Sequence, residues 1–168
     1  MFNTMKENLA WKLLSELLKN SRRSDRELAR ALGISQPTIT RTRQKIEREG
    51  YIKTYTIIPD WKKLGFEIIA FTFTKMRPEI LSPELFGKVK EYAAKFPNAI
   101  FATSGEGLGM TGVIMSLHKD YRDYVQKLSL FRMDWGKYME NIESFVTVPG
   151  EGEIKELSFA YLSKTLLP

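Results

Sequence analysis

Ser35-Gln36-Pro37-Thr38-Ile39-Thr40-Arg41-Thr42-Arg43-Gln44-Lys45-Ile46-Glu47-Arg48-Glu49-Gly50 reads as one helix with both ends marked. Ser35 suits the N-cap, where its hydroxyl can accept from a free backbone N–H of the first turn. Pro37 falls in that turn, where a missing N–H costs little. Gly50 suits the left-handed residue just past the C-terminus. Ile39 and Ile46 lie two turns apart and supply the buried stripe. Short polar side chains and cations fill the remaining surface: Gln36, Thr38, Thr40, Arg41, Arg43, Gln44, Lys45 and Arg48. Amides and guanidinium groups read base edges in a major groove, and hydroxyls and cations grip phosphates. A solvated amphipathic helix with a basic outer face would look the same, so the decision rests on what precedes it.

Upstream, Ser24-Asp25-Arg26-Glu27 matches the capping box, in which Ser24 and Glu27 satisfy each other's exposed donors. The short helix it opens turns Leu28, Ala29 and Leu32 inward. Gly33 ends it, Ile34 packs into the turn and Ser35 begins the next helix. Helix, short turn with Gly, helix is the helix-turn-helix pattern, and the small Ala29 permits close approach. An earlier helix is expected over Met5 to Lys19, with Leu9, Leu13 and Leu17 repeating every four residues. Downstream, Tyr51 to Ile58 is rich in β-branched and aromatic residues and reads as a strand, which would make a wing carrying Lys53 beside the groove.

The charge distribution agrees. The net charge is +6, and residues 1–60 hold 12 Lys/Arg against 7 Asp/Glu while the remainder is nearly neutral. A basic module joined to a neutral one suggests nucleic-acid binding. The chain has no cysteine and one histidine, which excludes disulfides, thiolate sites and a multi-histidine metal site. No Gly-x-Ser-x-Gly elbow accompanies His118. No metal, cofactor or catalytic residue is expected. No apolar run approaches the ~18 residues of a bilayer span, so the expected location is cytoplasmic, with no membrane partner.

The second half reads β-α-β-β-α-β. Strands are expected over Glu67 to Met76, Ala99 to Thr103, Met110 to Leu117 and Tyr138 to Val148. Helices are expected from Ser82-Pro83 to Lys95 and after Asp120. In the first strand Ile69, Phe71 and Phe73 alternate with Ala70, Thr72 and Thr74, which makes one face greasier than the other. Gly105 to Gly109 reads as a loop. The order is the ferredoxin-like plan. Ile154, Leu157, Phe159 and Tyr161 suggest a further strand or a short helix packed on the sheet. The expected organisation is α+β: a winged helix-turn-helix over 1–58, a hinge over 59–66, a ferredoxin-like domain over 67–148 and an extension over 149–168.

This architecture resembles the Lrp/AsnC, or feast/famine, family of transcriptional regulators. Ala29-Arg30-Ala31-Leu32-Gly33-Ile34-Ser35 resembles the family's helix-turn-helix. Ile46 to Tyr55 resembles its leucine-glutamate, glycine, isoleucine, glycine-tyrosine passage, and Leu64-Gly65 resembles its hinge. Three departures stand out. Arg43 lies near where the family usually has an apolar residue. Glu106, Gly107 and Leu108 follow Gly105 where the family reads glycine, two residues and aspartate. Residues after Val148 are unmatched. The resemblance implies a DNA-binding regulator whose sheets pair into dimers and often octamers, with small effectors, typically amino acids, bound between dimers.

The DNA-binding set named from the sequence is Arg22, Arg23, Ser35, Gln36, Thr38, Arg41, Lys45 and Lys53, with double-stranded DNA as partner. The effector set is Gly105, Glu106, Gly107 and Gly109. These glycines are no phosphate loop, because no Gly-Lys-Ser/Thr follows. His118 reads as a surface or capping residue, and Trp11, Trp61 and Trp135 as packing anchors. Two alternatives share the architecture: an enzyme similar to sirohaem decarboxylases, and a DNA-compacting protein of low sequence preference.

Overall fold

A computed structural model describes residues 4–166, which divide into two units: 4–58 together with 155–166, and 59–154. The first unit is helical. Its helices are α1 (Thr4–Lys19), α2 (Asp25–Leu32) and α3 (Gln36–Arg48). Leu13 and Leu28 are fully buried, and Ile39 and Ile46 are within 1% of it. Burying each such side chain contributes roughly 1.5–3 kcal/mol. Leu17 and Ala29 complete this core, and Leu9, Ala10, Leu14, Leu32, Ile34 and Ile52 pack around it. Apart from Ile34 in the turn and Ile52 beyond α3, these are the positions that helical periodicity selects.

The tail was expected on the sheet, but it lies on α1. A 3-10 helix over Phe159–Lys164 packs against that helix, and Ser15 Oγ donates to the Ser163 carbonyl at 3.0 Å. Both serines are buried. A polar Ser15 on the buried side of α1 needs a partner, and the returning backbone supplies it.

Tyr51–Ile58 forms no strand. The β-branched composition favours extension, but a strand also needs a ladder partner. The described residues of this unit contain no other strand.

The second unit is a four-stranded antiparallel sheet in the order β2-β3-β1-β4. The strands are β1 (Ile68–Met76), β2 (Ala99–Gly107), β3 (Met110–His118) and β4 (Met139–Thr147). Helices α4 (Pro83–Ala94) and α5 (Tyr121–Trp135) join them in the ferredoxin-like manner. Asp120 caps α5 by accepting from the Asp123 N–H at 2.7 Å. The alternation in β1 is as expected, but the helices lie on its smaller side chains. Ala70, Thr72 and Thr74 are buried, and Tyr124 and Leu128 of α5 pack with Ile68 and Ala70. The larger set faces away from the helices. Phe101, Met115, Phe71 and Phe145 form one row across all four strands, and Phe101 and Phe145 are 57% and 63% exposed.

The expected loop Gly105–Gly109 is mostly strand. β2 runs through Gly107, and only Leu108-Gly109 turn the chain, both with positive φ (54° and 70°). Positive φ at both central residues matches the right-handed twist of a two-residue hairpin. Leu108 is unusual in such a position.

Candidate nucleic-acid interface

The helix-turn-helix is held by local contacts that the sequence encodes directly. The capping box is complete: the Ser24 backbone N–H donates to Glu27 Oε2 at 2.7 Å, and the Glu27 N–H donates to Ser24 Oγ at 3.3 Å. The hydrogen bond from the Ser24 hydroxyl holds the Glu27 carboxyl below the usual carboxylate range. Gly33 turns the chain with φ 65°, and the Ile34 N–H donates to the Ala29 carbonyl at 3.0 Å. Ser35 occupies the N-cap of α3, but its hydroxyl pairs with Thr38 Oγ1 at 2.8 Å instead of a backbone N–H. Past the helix, Gly50 has φ 78° and the Tyr51 N–H donates to the Ile46 carbonyl, closing the last turn.

Arg43, the departure from the family pattern, has a structural task. Its Nε lies 3.0 Å from Asp25 Oδ1, and its Nη2 donates to the Arg23 carbonyl at 2.9 Å. Thr40 Oγ1 donates to Asp25 Oδ2 at 2.6 Å. A half-buried Arg43 thus fastens α3 to the start of α2 through a charge pair, where an apolar side chain would use packing.

The outward face of α3 follows from the buried one. Ile39 and Ile46 point into the core, so residues half a turn away point out. Those are Pro37, Arg41, Gln44 and Arg48, with Thr38 and Lys45 beside them, all exposed. Of the set named from the sequence, Ser35, Gln36, Thr38, Arg41 and Lys45 share this exposed end and face. Lys45 Nζ lies 3.7 Å from Glu49. Lys53 is exposed beyond Gly50, and Arg22 is exposed before α2. Arg23 is half-buried and ion-paired with Glu16, which removes it from the free cations. Gln44 and Arg48 are absent from that set. Their signal is in the spacing: Gln44 follows Ile39 by five residues and Arg48 follows Ile46 by two.

The segment after α3 is tied to the helices by aromatic side chains. Tyr51 meets Trp11 edge to face, with centroids 5.7 Å apart. The Tyr55 hydroxyl donates to Glu47 Oε1 at 2.6 Å, and burial with this bond pushes the phenol up to about 12.

The model of the winged helix-turn-helix DNA-binding domain matches residues 7–53. The transcriptional regulator LrpA of Pyrococcus abyssi is 31% identical over 113 residues, 67% of this chain and 78% of that protein. The chain belongs to the Lrp/AsnC family of transcriptional regulators. Among solved structures, PH0061 is 27% identical with a TM-score of 0.73, covering 89% of this chain and 95% of that one. The regulator NMB0573 of Neisseria meningitidis, solved with L-Met, has the same fold at 15% identity and a TM-score of 0.73, covering 91% and 96%. The helix-turn-helix of this Lrp/AsnC protein is therefore a DNA-binding domain of the winged type.

The effector set lies elsewhere, in the sheet unit. Gly105, Glu106 and Gly107 end the edge strand β2, and Gly109 completes the hairpin; all four are exposed. Glu106 has no ion-pair partner among the described residues. His118, expected at the surface, is 3% exposed. It ends β3 with Nε2 2.9 Å from Ser116 Oγ and its ring edge-on to Tyr124. Burial holds its imidazole below the ordinary value, with Asp123 opposing. No helix among the described residues is long and apolar enough to cross a membrane.

Proposed function

We propose that this regulator binds a specific, near-palindromic DNA site as a dimer, with α3 in the major groove. The single observation that carries the reading is the exposed face Thr38, Arg41, Gln44, Lys45 and Arg48, set opposite the buried Ile39 and Ile46. Arg41 and Gln44 have the groups that pair bidentately with guanine and adenine edges. Arg48, Lys45, Lys53 and Arg22 are placed as phosphate contacts, and Ser35, Gln36 and Thr38 meet the strand at the helix start. The bare apolar row Phe101-Met115-Phe71-Phe145 supports pairing of two sheets, because a monomer rarely exposes so large a contiguous apolar patch. Two-fold pairing suits half-sites about 34 Å apart.

The test is selection of bound genomic fragments followed by titration at several salt concentrations. Affinity falls steeply with salt as counterions are released. Arg41→Ala costs about 1–3 kcal/mol on the selected site and relaxes one base position, while Lys45→Ala weakens all sequences alike. Unchanged affinity in both variants would overturn the assignment, and equal affinity for random and selected DNA would favour a compacting protein. A Soret band in the purified protein would instead favour the decarboxylase-like reading.

For an effector, the relevant precedent is the L-Met complex of the Neisseria meningitidis protein. Here the hairpin lacks the family aspartate, and Glu106 is the only acid in it. Our reading is that ordinary α-amino acids bind there weakly or not at all. Calorimetry with the twenty amino acids tests it. Low-micromolar binding that is abolished by Glu106→Ala contradicts it.

A further inference from the structure

The helix-covered side of the sheet is hollow, and the cause is in the registers. Across β2, β3, β1 and β4, one row on that side is Ala102, Ile114, Thr72 and Ser144, and the next is Ser104, Gly112, Thr74 and Ile142. Ala99, Ser116 and Ala70 continue the floor. Small side chains leave space that the helices do not fill. α4 has no buried residue, although Phe86, Val89, Tyr92 and Ala93 all lie on its inner side. The result is a cavity of about 500 Å³, within the usual size of small-molecule sites. Its roof is held in shape independently of the floor. Tyr92 packs at tilted angles on Phe96 and Phe131 and edge to face on Trp135, and its hydroxyl donates to Asp134 at 2.7 Å.

The charged groups around this space have one sign. Arg77, Lys90 and Lys127 line it, and no Asp or Glu does. Lys127 is paired with Asp123 at 2.9 Å, but Arg77 and Lys90 have no carboxylate within ion-pair distance among the described residues. Both are exposed, which places them at a mouth and not in the floor. Three lining residues are also buried with an unpartnered polar atom: Asn98 Oδ1 and Trp135 Nε1, each residue 8% exposed, and His118 Nδ1, 3% exposed. A buried donor or acceptor without a partner is costly.

We propose that this cavity is a binding site for an amphiphilic monocarboxylate, of the medium-chain fatty acid or aryl-alkanoic type. The apolar body lies between the Ala-Thr floor and the aromatic roof, and the carboxylate lies at Arg77 and Lys90. An α-ammonium group is excluded, since nothing acidic lines the space and the cations repel it. This site is formed within one chain, so it requires neither the hairpin Gly105–Gly109 nor a second copy, and it stands whether or not α3 reads DNA.

The test uses the full chain and sodium octanoate, with octan-1-ol, octylammonium and norleucine as comparators. Calorimetry should show one saturable octanoate site per chain, with at least tenfold weaker binding of each comparator. In a Trp11→Phe, Trp61→Phe background, the emission of Trp135 should shift along the same isotherm. Ala93→Phe from the roof and Ala99→Phe from the floor should each weaken octanoate at least tenfold with the thermal transition retained. Arg77→Gln with Lys90→Gln should weaken octanoate and leave octanol unchanged. These last two positions are exposed, so they keep the test decisive if a filling variant fails to fold. No saturation at millimolar octanoate overturns the proposal. So does uptake of many molecules per chain, octanol binding as tightly as octanoate, or octanoate affinity unaltered by the double glutamine variant.

Discussion

The helical unit and the sheet unit share one chain but solve burial differently. In the first, four aliphatic side chains from three helices reach 0–1% exposure. Its buried Ser15 donates to the Ser163 carbonyl, and Arg43 is ion-paired with Asp25 inside the unit. In the second, the phenylalanines of the sheet face away from the helices, and the covered side is lined mostly by Ala, Ser, Thr and Gly, with Ile114 and Ile142 among them. A recognition helix must be presented rigidly, and a tight core does that. The sheet domain exposes one apolar face and encloses space behind the other.

The sharpest way to break this contrast is in the helical core. Ile46→Ala should cost about 2–5 kcal/mol, because the site cannot collapse around the lost methyl groups. Helical signal should be lost at a lower temperature while the near-ultraviolet signal of the sheet unit persists. A cost below ~1 kcal/mol would mean that this core is as loose as the other unit's. Overpacking separates the units next. Ala29→Leu, at a buried α2–α3 contact, should destabilise by about 1–3 kcal/mol, whereas Ala93→Leu enters the hollow and should be neutral or stabilising by calorimetric melting. Equal losses at both sites would refute the difference in packing.

The bare face gives a third measure. Phe145→Glu alters a side chain 63% exposed in the chain, so it should scarcely change the unfolding of a monomer. It should halve the mass by light scattering at micromolar concentration if the apolar row pairs with a second copy. An unchanged mass would place the dimer contact elsewhere. The smallest effect concerns pH. The folded His118 has a depressed pKa, so the unfolded chain binds the extra proton first on acidification. Stability is full above the ordinary histidine value and declines as pH falls from there toward the depressed one. His118→Gln should flatten that slope in denaturant titrations. A slope that is identical in the variant would assign the acid sensitivity to other groups.

Much of this molecule was legible in its sequence because the signals are local. The Ser24–Glu27 box, Gly33, Gly50 and the Ile39/Ile46 spacing each act within a few residues of themselves, and the helix-turn-helix follows from them. Alternation in β1 and the cap at Asp120 sufficed for the β-α-β-β-α-β order. The face of α3 was legible too, and Gln44 and Arg48 needed only the same periodicity applied once more.

What the tertiary structure alone decided depends on partners distant in the chain. Tyr51–Ile58 has the composition of a strand but no ladder partner among the described residues of its unit, so composition could not settle its form. The tail carries apolar residues that would suit a sheet, yet Ser15 and Ser163, 148 positions apart, show that it packs on α1. Alternation in β1 revealed two unlike faces but not which one the helices would cover. That choice put the phenylalanines outside and the small residues inside, buried His118, and left the hollow beneath α4. Spacing along the chain records which side chains share a face; only long-range packing determines what that face meets.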